Sequence, residues 1–230
     1  MKFESPLIPG RLIKRYKRFL ADVELKDGET ITAHCANPGS MMGLLPDGAP
    51  VWLSPNTNPK AKLPYRWELV EVDETLIGIN TAHPNRIVEH AIQDGTIEEL
   101  QGYKSLRREV KYGENSRVDL LLEDPNLCYV EVKNVTLKRG DAAQFPDSVT
   151  TRGAKHLREL GEMVREGYRA VMVFLVQRAD CDYLSLAKDI DPAYAEAMEL
   201  AKMEGVEVIA YWCTVTPQEI KVAGALPVRI

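Results

Sequence analysis

Three charged residues interrupt what are otherwise apolar runs. Segment 117–133 reads RVDLLLEDPNLCYVEVK, with Asp119 inside the first run and Glu131 and Lys133 inside the second. Burying a charge is expensive unless it is paired or bound. Successive side chains of an extended strand point to opposite faces, so Tyr129, Glu131 and Lys133 share one face. A tight connection through Asp124-Pro125-Asn126 lays the two runs side by side and lets Asp119 converge on Glu131. Adjacent carboxylates repel, and one takes up a proton unless a cation lies between them. A hard divalent ion with a taste for oxygen ligands, Mg²⁺ or Mn²⁺, resolves that conflict. Such an ion polarises a phosphoryl oxygen and acidifies a bound water. Lys133 is placed to position that water or to offset charge on the phosphorane. The expected chemistry is phosphodiester hydrolysis by Asp119, Glu131 and Lys133. The plainer alternative is a half-solvated strand face carrying an exposed Glu-x-Lys ion pair; the apolar surroundings of all three residues argue against it.

Other residue types extend the site. Glu109 in RREVKY is a third acid for the metal, its alternative being an exposed strand glutamate, and Glu89 on a helix is a more distant one. Arg152, Lys155 and His156 fall in the first turns of a helix, where the N-terminus itself favours anions; otherwise they form an ordinary solvated face. RLIKRYKRF interleaves Arg15, Lys17 and Arg18 with Tyr16 and Phe19. The charges suit phosphates. The aromatics either stack on bases or fill a barrel core. His34, Asn37 and Gly39 form a polar loop, functional or only a turn. No glycine-rich phosphate loop, Ser-His-Asp set or helix-turn-helix reader is recognisable.

The elements that must hold these residues change character near residue 83. Before it, short strands are expected at 19–25, 29–35, 49–55, 66–74 and 76–82, with Asp27-Gly28 as a hairpin turn. Five such strands make a small closed barrel, and 56–66 reads as a projecting loop. After it, the pattern predicts α-β-β-β-α-β-α-β. Pro84 opens the first helix, strands follow at 105–112, 116–123 and 127–137, and 138–148 is loop. Thr150 or Thr151 caps the second helix, 169–177 is a covered strand, Asp191-Pro192 opens the third helix, and 206–215 is the last strand. This is a mixed sheet with helices on its faces.

The 230 residues carry a net charge of −5, which disfavours a polyanionic partner only if charge is averaged. Residues 180–207 hold eight acids against two lysines, so the remainder is close to neutral, and 11–18 holds five basic residues and no acid. Local patches decide where a polyanion docks. The four cysteines are far apart and make no metal or redox motif. They fit a reducing cytoplasm. No apolar run is long enough to cross a membrane, and no signal-peptide core is visible. Oligomeric state is open, a homo-oligomer included.

Several blocks are also similar to a known family. RYKRFLADVEL, AHCANPGSM, NTAHPNRIVEHAI, REVKYGENSRVDLLL, CYVEVKNVTL, FPDSVTTRGAKHLREL and a closing LPV together resemble, in order and over nearly the whole chain, the sugar fermentation stimulation protein A family. The resemblance implies an OB-type barrel over 1–82 and a restriction-endonuclease-like domain of the PD-(D/E)xK class over 83–230, an α/β chain that is α+β overall. It implies DNA as partner and a role in regulating sugar-utilisation genes. The nuclease signature falls on Asp119 and Glu131 as metal ligands and Lys133 as the residue positioning water. Val118 stands where the class name has proline, a position without chemical duty. Two functions follow: a Mg²⁺- or Mn²⁺-dependent DNA hydrolase, or a DNA-binding regulator that keeps the fold without using the site. A sugar-binding protein is a third reading that rests on the family's name alone.

Overall fold

The computed structural model describes residues 1–58, 60–113 and 116–230. Pro59, part of the loop expected at 56–66, lies outside the described residues.

Strands β1 (Ile8–Tyr16), β2 (Leu20–Leu25), β3 (Thr30–Cys35), β4 (Pro50–Pro55) and β5 (Tyr65–Val72) close a ring. β1 pairs antiparallel with β2 and β4, and β3 pairs parallel with β5 to shut it. Leu12, Val23, Val51, Leu53 and Trp67 fill the interior. The membership differs from the sequence expectation. The basic segment supplies the first barrel strand, while β6 (Thr75–Gly78) only hairpins onto β5 outside the ring. Alternation in β1 is hidden because Leu12 is its one fully buried side chain. Gly10 helps β1 approach β2: a Cβ there would lie 2.5 Å from Val23 Cγ1.

The second half is built on a six-stranded sheet. Its elements are α1 (Pro84–Gln93), β7 (Ser105–Tyr112), β8 (Ser116–Glu123), β9 (Cys128–Val135), β10 (Leu137–Arg139), β11 (Ala142–Phe145), α2 (Thr151–Arg165), β12 (Arg169–Val176), β13 (Tyr183–Leu186), α3 (Pro192–Glu204), β14 (Glu207–Val215) and β15 (Ile220–Ala225). The sheet order is β15-β14-β12-β9-β8-β7, with β9, β12 and β14 parallel and the outer pairs antiparallel. Ile87, Val88, Ala91 and Ile92 of α1 pack on one face. Leu157 and Leu160 of α2 and Tyr194 and Met198 of α3 pack on the other. Helix ends follow their sequence signals. Thr150 accepts from Gly153 N at 3.1 Å, Asp191 accepts from Tyr194 N at 3.0 Å, and Gly205 ends α3 at φ 105.

Three segments correct the expectation: β13 and β15 are further strands, β15 lying beyond the strand expected as the last, and the third is 138–148. Residues 138–148 are not plain loop, because β10 and β11 pair there and β11 runs parallel to β13 as a small second sheet. Strands of three or four residues give too short an alternation to stand out. The acidic stretch is largely neutralised in place: Asp180 meets Arg178 and Lys138, Asp189 meets Arg139, Glu199 meets Lys188, and Glu207 meets Arg169. Among the described residues no helix is long and apolar enough to cross a membrane.

Candidate active site

The antiparallel β8–β9 ladder pairs Leu120 with Val130 and Leu121 with Tyr129. One step on, the register carries Asp119 toward Glu131, whose charge reaches it, but the Asp119 carboxylate is held from α1 and the Glu131 carboxylate from α2, on opposite sides of the sheet. There the ladder gives way, and Asp119 Oδ2 itself accepts the Val132 N–H at 2.8 Å. Its other oxygen accepts from Asn85 Nδ2 at 2.8 Å. Glu131 is 2% exposed. Its Oε1 accepts from Lys133 Nζ at 2.6 Å and pairs with His156 Nδ1, while Oε2 has no hydrogen-bond partner. Arg152 Nε donates to His156 Nε2 at 3.2 Å. The imidazole therefore keeps its proton on Nδ1, aimed at Glu131.

The two acids are pushed apart electrostatically. Burial, then the charge of Glu131, raises Asp119 to about 6, with Val132 N–H, Lys133 and Asn85 pulling the other way. Burial acts to raise Glu131 too, but His156 and Lys133 outweigh it and hold that carboxyl below its ordinary value. The result is one firmly ionised carboxylate beside one that shares its proton readily.

Glu109, expected as a third acid for the metal, is exposed on β7 and does not line the cleft that Asp119, Glu131 and Lys133 line. Its neighbours pair Arg108 with Leu120 and Val110 with Val118, so Glu109 lies opposite Asp119. Its φ of 54 is a left-handed conformation, unusual for a side-chain-bearing residue and frequent where function demands it. Asn85 Nδ2 also reaches Glu109 Oε1, at 3.4 Å. Among the described residues no three His, Cys, Asp or Glu side chains gather as a metal cage. A cation between Asp119 and Glu131 would therefore lean on water, as Mg²⁺ commonly does.

The site opens into a cleft of about 880 Å³ between the barrel and the second half. Arg15 and Arg18 line its barrel side and Arg152 its far side. Arg15 spends its guanidinium on the carbonyls of Arg18, Asn37 and Gly39 at 3.1, 2.8 and 2.9 Å, so it shapes the loop after β3. Lys17 lies in the exposed β1–β2 turn and does not line the cleft. Lys155 pairs with Glu159 at 3.4 Å and does not line it either. His156, expected to meet nucleic acid, is instead 5% exposed and committed to Glu131, because its helix position turns it toward the sheet. Glu89 lies 3.6 Å from Arg108. Tyr16 and Phe19 do not fill the barrel: Tyr16 donates to Asp22 at 3.1 Å, and Phe19 is 46% exposed and stacked on His34. Asn37 and Gly39 belong to a built junction, with Asn37 Nδ2 donating to Ile79 O at 3.0 Å. Asn85 was missed altogether. No local spacing ties it to Asp119, 34 residues on.

Comparison with known proteins agrees with this architecture over both halves. A family model described as the sugar fermentation stimulation protein RE domain matches residues 82–219, and one described as the SfsA N-terminal OB domain matches 13–79. The chain belongs to the sugar fermentation stimulation protein family. Its ring of five strands is the OB barrel of that family, and its mixed sheet is the restriction-endonuclease-like domain. A sugar fermentation stimulation protein homolog of Rhodospirillum centenum is 60% identical over 229 residues, covering 98% of each chain. A homolog of Geobacter metallireducens is 57% identical over 230 residues, covering 99% of each. The structure of Pyrococcus furiosus SfsA in complex with Ca²⁺ matches with a TM-score of 0.91 and 29% identity, covering 100% of this chain and 98% of that one.

Proposed function

We propose that this family member binds DNA and hydrolyses phosphodiester bonds at a divalent-metal site formed by Asp119 and Glu131, with Lys133 beside them. The observation that carries the reading is Glu131 Oε2, a buried carboxylate oxygen without a partner, next to an acid whose pKa is raised to about 6. An unpaired buried oxygen costs stability, and a hard cation offsets both that cost and the repulsion between the acids. The Ca²⁺ held by the Pyrococcus furiosus relative supports an oxygen-ligand ion here, Mg²⁺ or Mn²⁺ in the working protein.

Such an ion, when bound, polarises a phosphoryl oxygen and lowers the pKa of water. The remaining work falls to side chains. Asn85 and the Val132 N–H fix the Asp119 carboxylate, and His156, steadied by Arg152, fixes Glu131. Lys133, anchored at 2.6 Å, orients an ammonium toward the scissile group and offsets its growing charge. Glu109, exposed on β7 with Asn85 Nδ2 at 3.4 Å, is the candidate to hold a water. Arg18 and Arg152 supply phosphate contacts.

The rival reading is a DNA-binding regulator that keeps the fold without catalysis. One observation favours it: Lys133 already compensates the charge of Glu131, and His156 hydrogen-bonds it, without a metal. Incubating purified protein with single-stranded, duplex and branched DNA in Mg²⁺ and in Mn²⁺ separates the two. The enzyme reading expects cleavage that Asp119→Ala or Glu131→Ala abolishes while DNA binding persists, and calorimetric Ca²⁺ binding that the same variants lose. DNA left intact throughout, with binding that weakens as salt rises, favours the regulator.

A further inference from the structure

We propose that Lys111 and Arg117, paired across the β7–β8 hairpin, form a binding site for a backbone phosphate of DNA next to the one attacked at Asp119. This rests on the nucleic-acid reading above and adds to it a docking site outside the cleft.

Their placement follows from which neighbours are buried. Val110, Tyr112 and Val118 pack into the core under α2, and Ser116 Oγ donates to Glu159 of that helix at 2.8 Å. Alternation then turns Lys111 and Arg117 to the opposite face of the sheet, where Asn85 of α1 holds Asp119. Both are exposed there. The left-handed backbone of Glu109 belongs to the same arrangement. Leu106 packs on the α1 side and Val110 on the α2 side, although an even number of residues separates them. The alternation of β7 therefore switches between them, where Glu109 has φ 54. Without that switch Lys111 would face the apolar core under α2. A strained residue that brings a charge to the site face is strain with a use.

The register sets Lys111 directly opposite Arg117. Like charges opposed on one face destabilise a sheet, and an anion between them removes the conflict. Other cations of this edge are already matched: Lys104 with Asp124 at 2.9 Å, Arg107 with Glu123 at 2.7 Å and Arg108 with Glu89 at 3.6 Å. The side chains of Lys111 and Arg117 make no hydrogen bond or ion pair among the described residues. The pair stands two residues from the Glu109–Asp119 step of the ladder, about 7 Å along the strands. That is the scale of the step between successive phosphates of one strand, so the ligand is a polymer that also reaches Asp119. Arg117 offers a planar fork to the phosphate oxygens and Lys111 a point charge.

The test is fluorescence anisotropy of a labelled DNA strand and of its duplex, titrated across a salt series. For whichever form the wild-type protein binds, Lys111→Ala and Arg117→Ala should each weaken binding about fivefold or more. Each should also lower the slope of log affinity against log salt by about one. Arg117→Lys should keep the slope. Lys104→Ala removes the same charge from a matched position on the same edge and should change neither quantity. Lys111→Ala should melt at or above the wild-type temperature, since a like-charge contact is relieved, which separates lost binding from lost fold. If wild type binds DNA and the two alanine variants keep its affinity and slope, the paired site is overturned and the nucleic-acid reading stands. Lys104→Ala weakening binding as much as they do has the same consequence. Wild-type binding to neither form overturns the site and that reading together.

Discussion

Of three buried glutamates, two sit beside a histidine, one in each half of the molecule. Glu68, on β5 of the barrel, is 3% exposed, and Glu131, on β9, is 2% exposed. Each leans on a histidine. Glu68 is complete: Oε1 accepts from Ser54 at 2.6 Å, and Oε2 accepts from Asn80 at 2.8 Å and His83 at 2.7 Å. Burial works to raise its pKa, but those donors, His83 foremost, bring it below the ordinary value. Glu131 has donors on one oxygen only and a second acid across the ladder. A carboxylate with both oxygens matched is part of the scaffold, here tying the barrel to the start of α1. One left half matched, among charges, is where stability has been given up for a ligand.

Removing each acid should therefore fail differently. Glu68→Ala strands Ser54, Asn80 and His83 in the junction. Denaturant titration should show a loss of about 3–5 kcal/mol, whereas Ca²⁺ bound per folded molecule stays constant. Glu131→Gln should do the reverse. Stability moves by about 1 kcal/mol or less, while cleavage falls about 10²–10³-fold, or about 3–4 kcal/mol in the barrier. If Glu131→Gln destabilises as much as Glu68→Ala, the contrast between scaffold and site is lost.

Acidity gives a finer probe. Asp119 is raised to about 6 in the folded chain from an ordinary value near 3.8. Between those values the folded state holds a proton that the unfolded state has released, so stability falls as pH rises through that window. Depressed Glu131 acts in the opposite sense, contributing stability above its unfolded pKa that is lost as pH falls through its folded one. For metal-free protein the Asp119 contribution is on the order of 3 kcal/mol. Chemical denaturation across this range should show the decline, and Asp119→Asn should flatten it.

The sequence made the strands of the site readable because RVDLLLE and CYVEVK alternate over a full strand length, and a turn lies between them. Helix starts were legible at Thr150 and Asp191, where the cap residue is itself the signal. β1 was not counted because basic residues on its outer face mask a single buried Leu12. β10 and β11 were too short to show a period. His156 and Asn85 escaped their roles for another reason. Their partners are 25 and 34 residues away, and only the packing of α1 and α2 on opposite faces of the sheet brings them in. Charge followed the same rule: the eight acids of 180–207 stood against two lysines in the sequence, yet most meet a lysine or arginine across a turn or a neighbouring element.

Asn85 is where the comparison becomes most sensitive. It stands in the first turn of α1, two residues past His83, so the segment that completes Glu68 also delivers the amide that holds Asp119. Asn85→Ala deletes one good hydrogen bond at 2.8 Å and one long one at 3.4 Å. Stability should fall by only about 1 kcal/mol, because the site is partly solvated. Calorimetric Ca²⁺ affinity should fall about tenfold, the usual consequence of freeing a ligand from the group that orients it. Asn85→Asp keeps the shape but adds a third acid. It should raise Asp119 further by repulsion and lower metal-free stability at neutral pH. It should also bind Ca²⁺ more tightly than wild type, since more carboxylates now face one cation. An Asn85→Asp variant that binds no tighter would mean the Asp119 carboxylate is not facing a metal position at all.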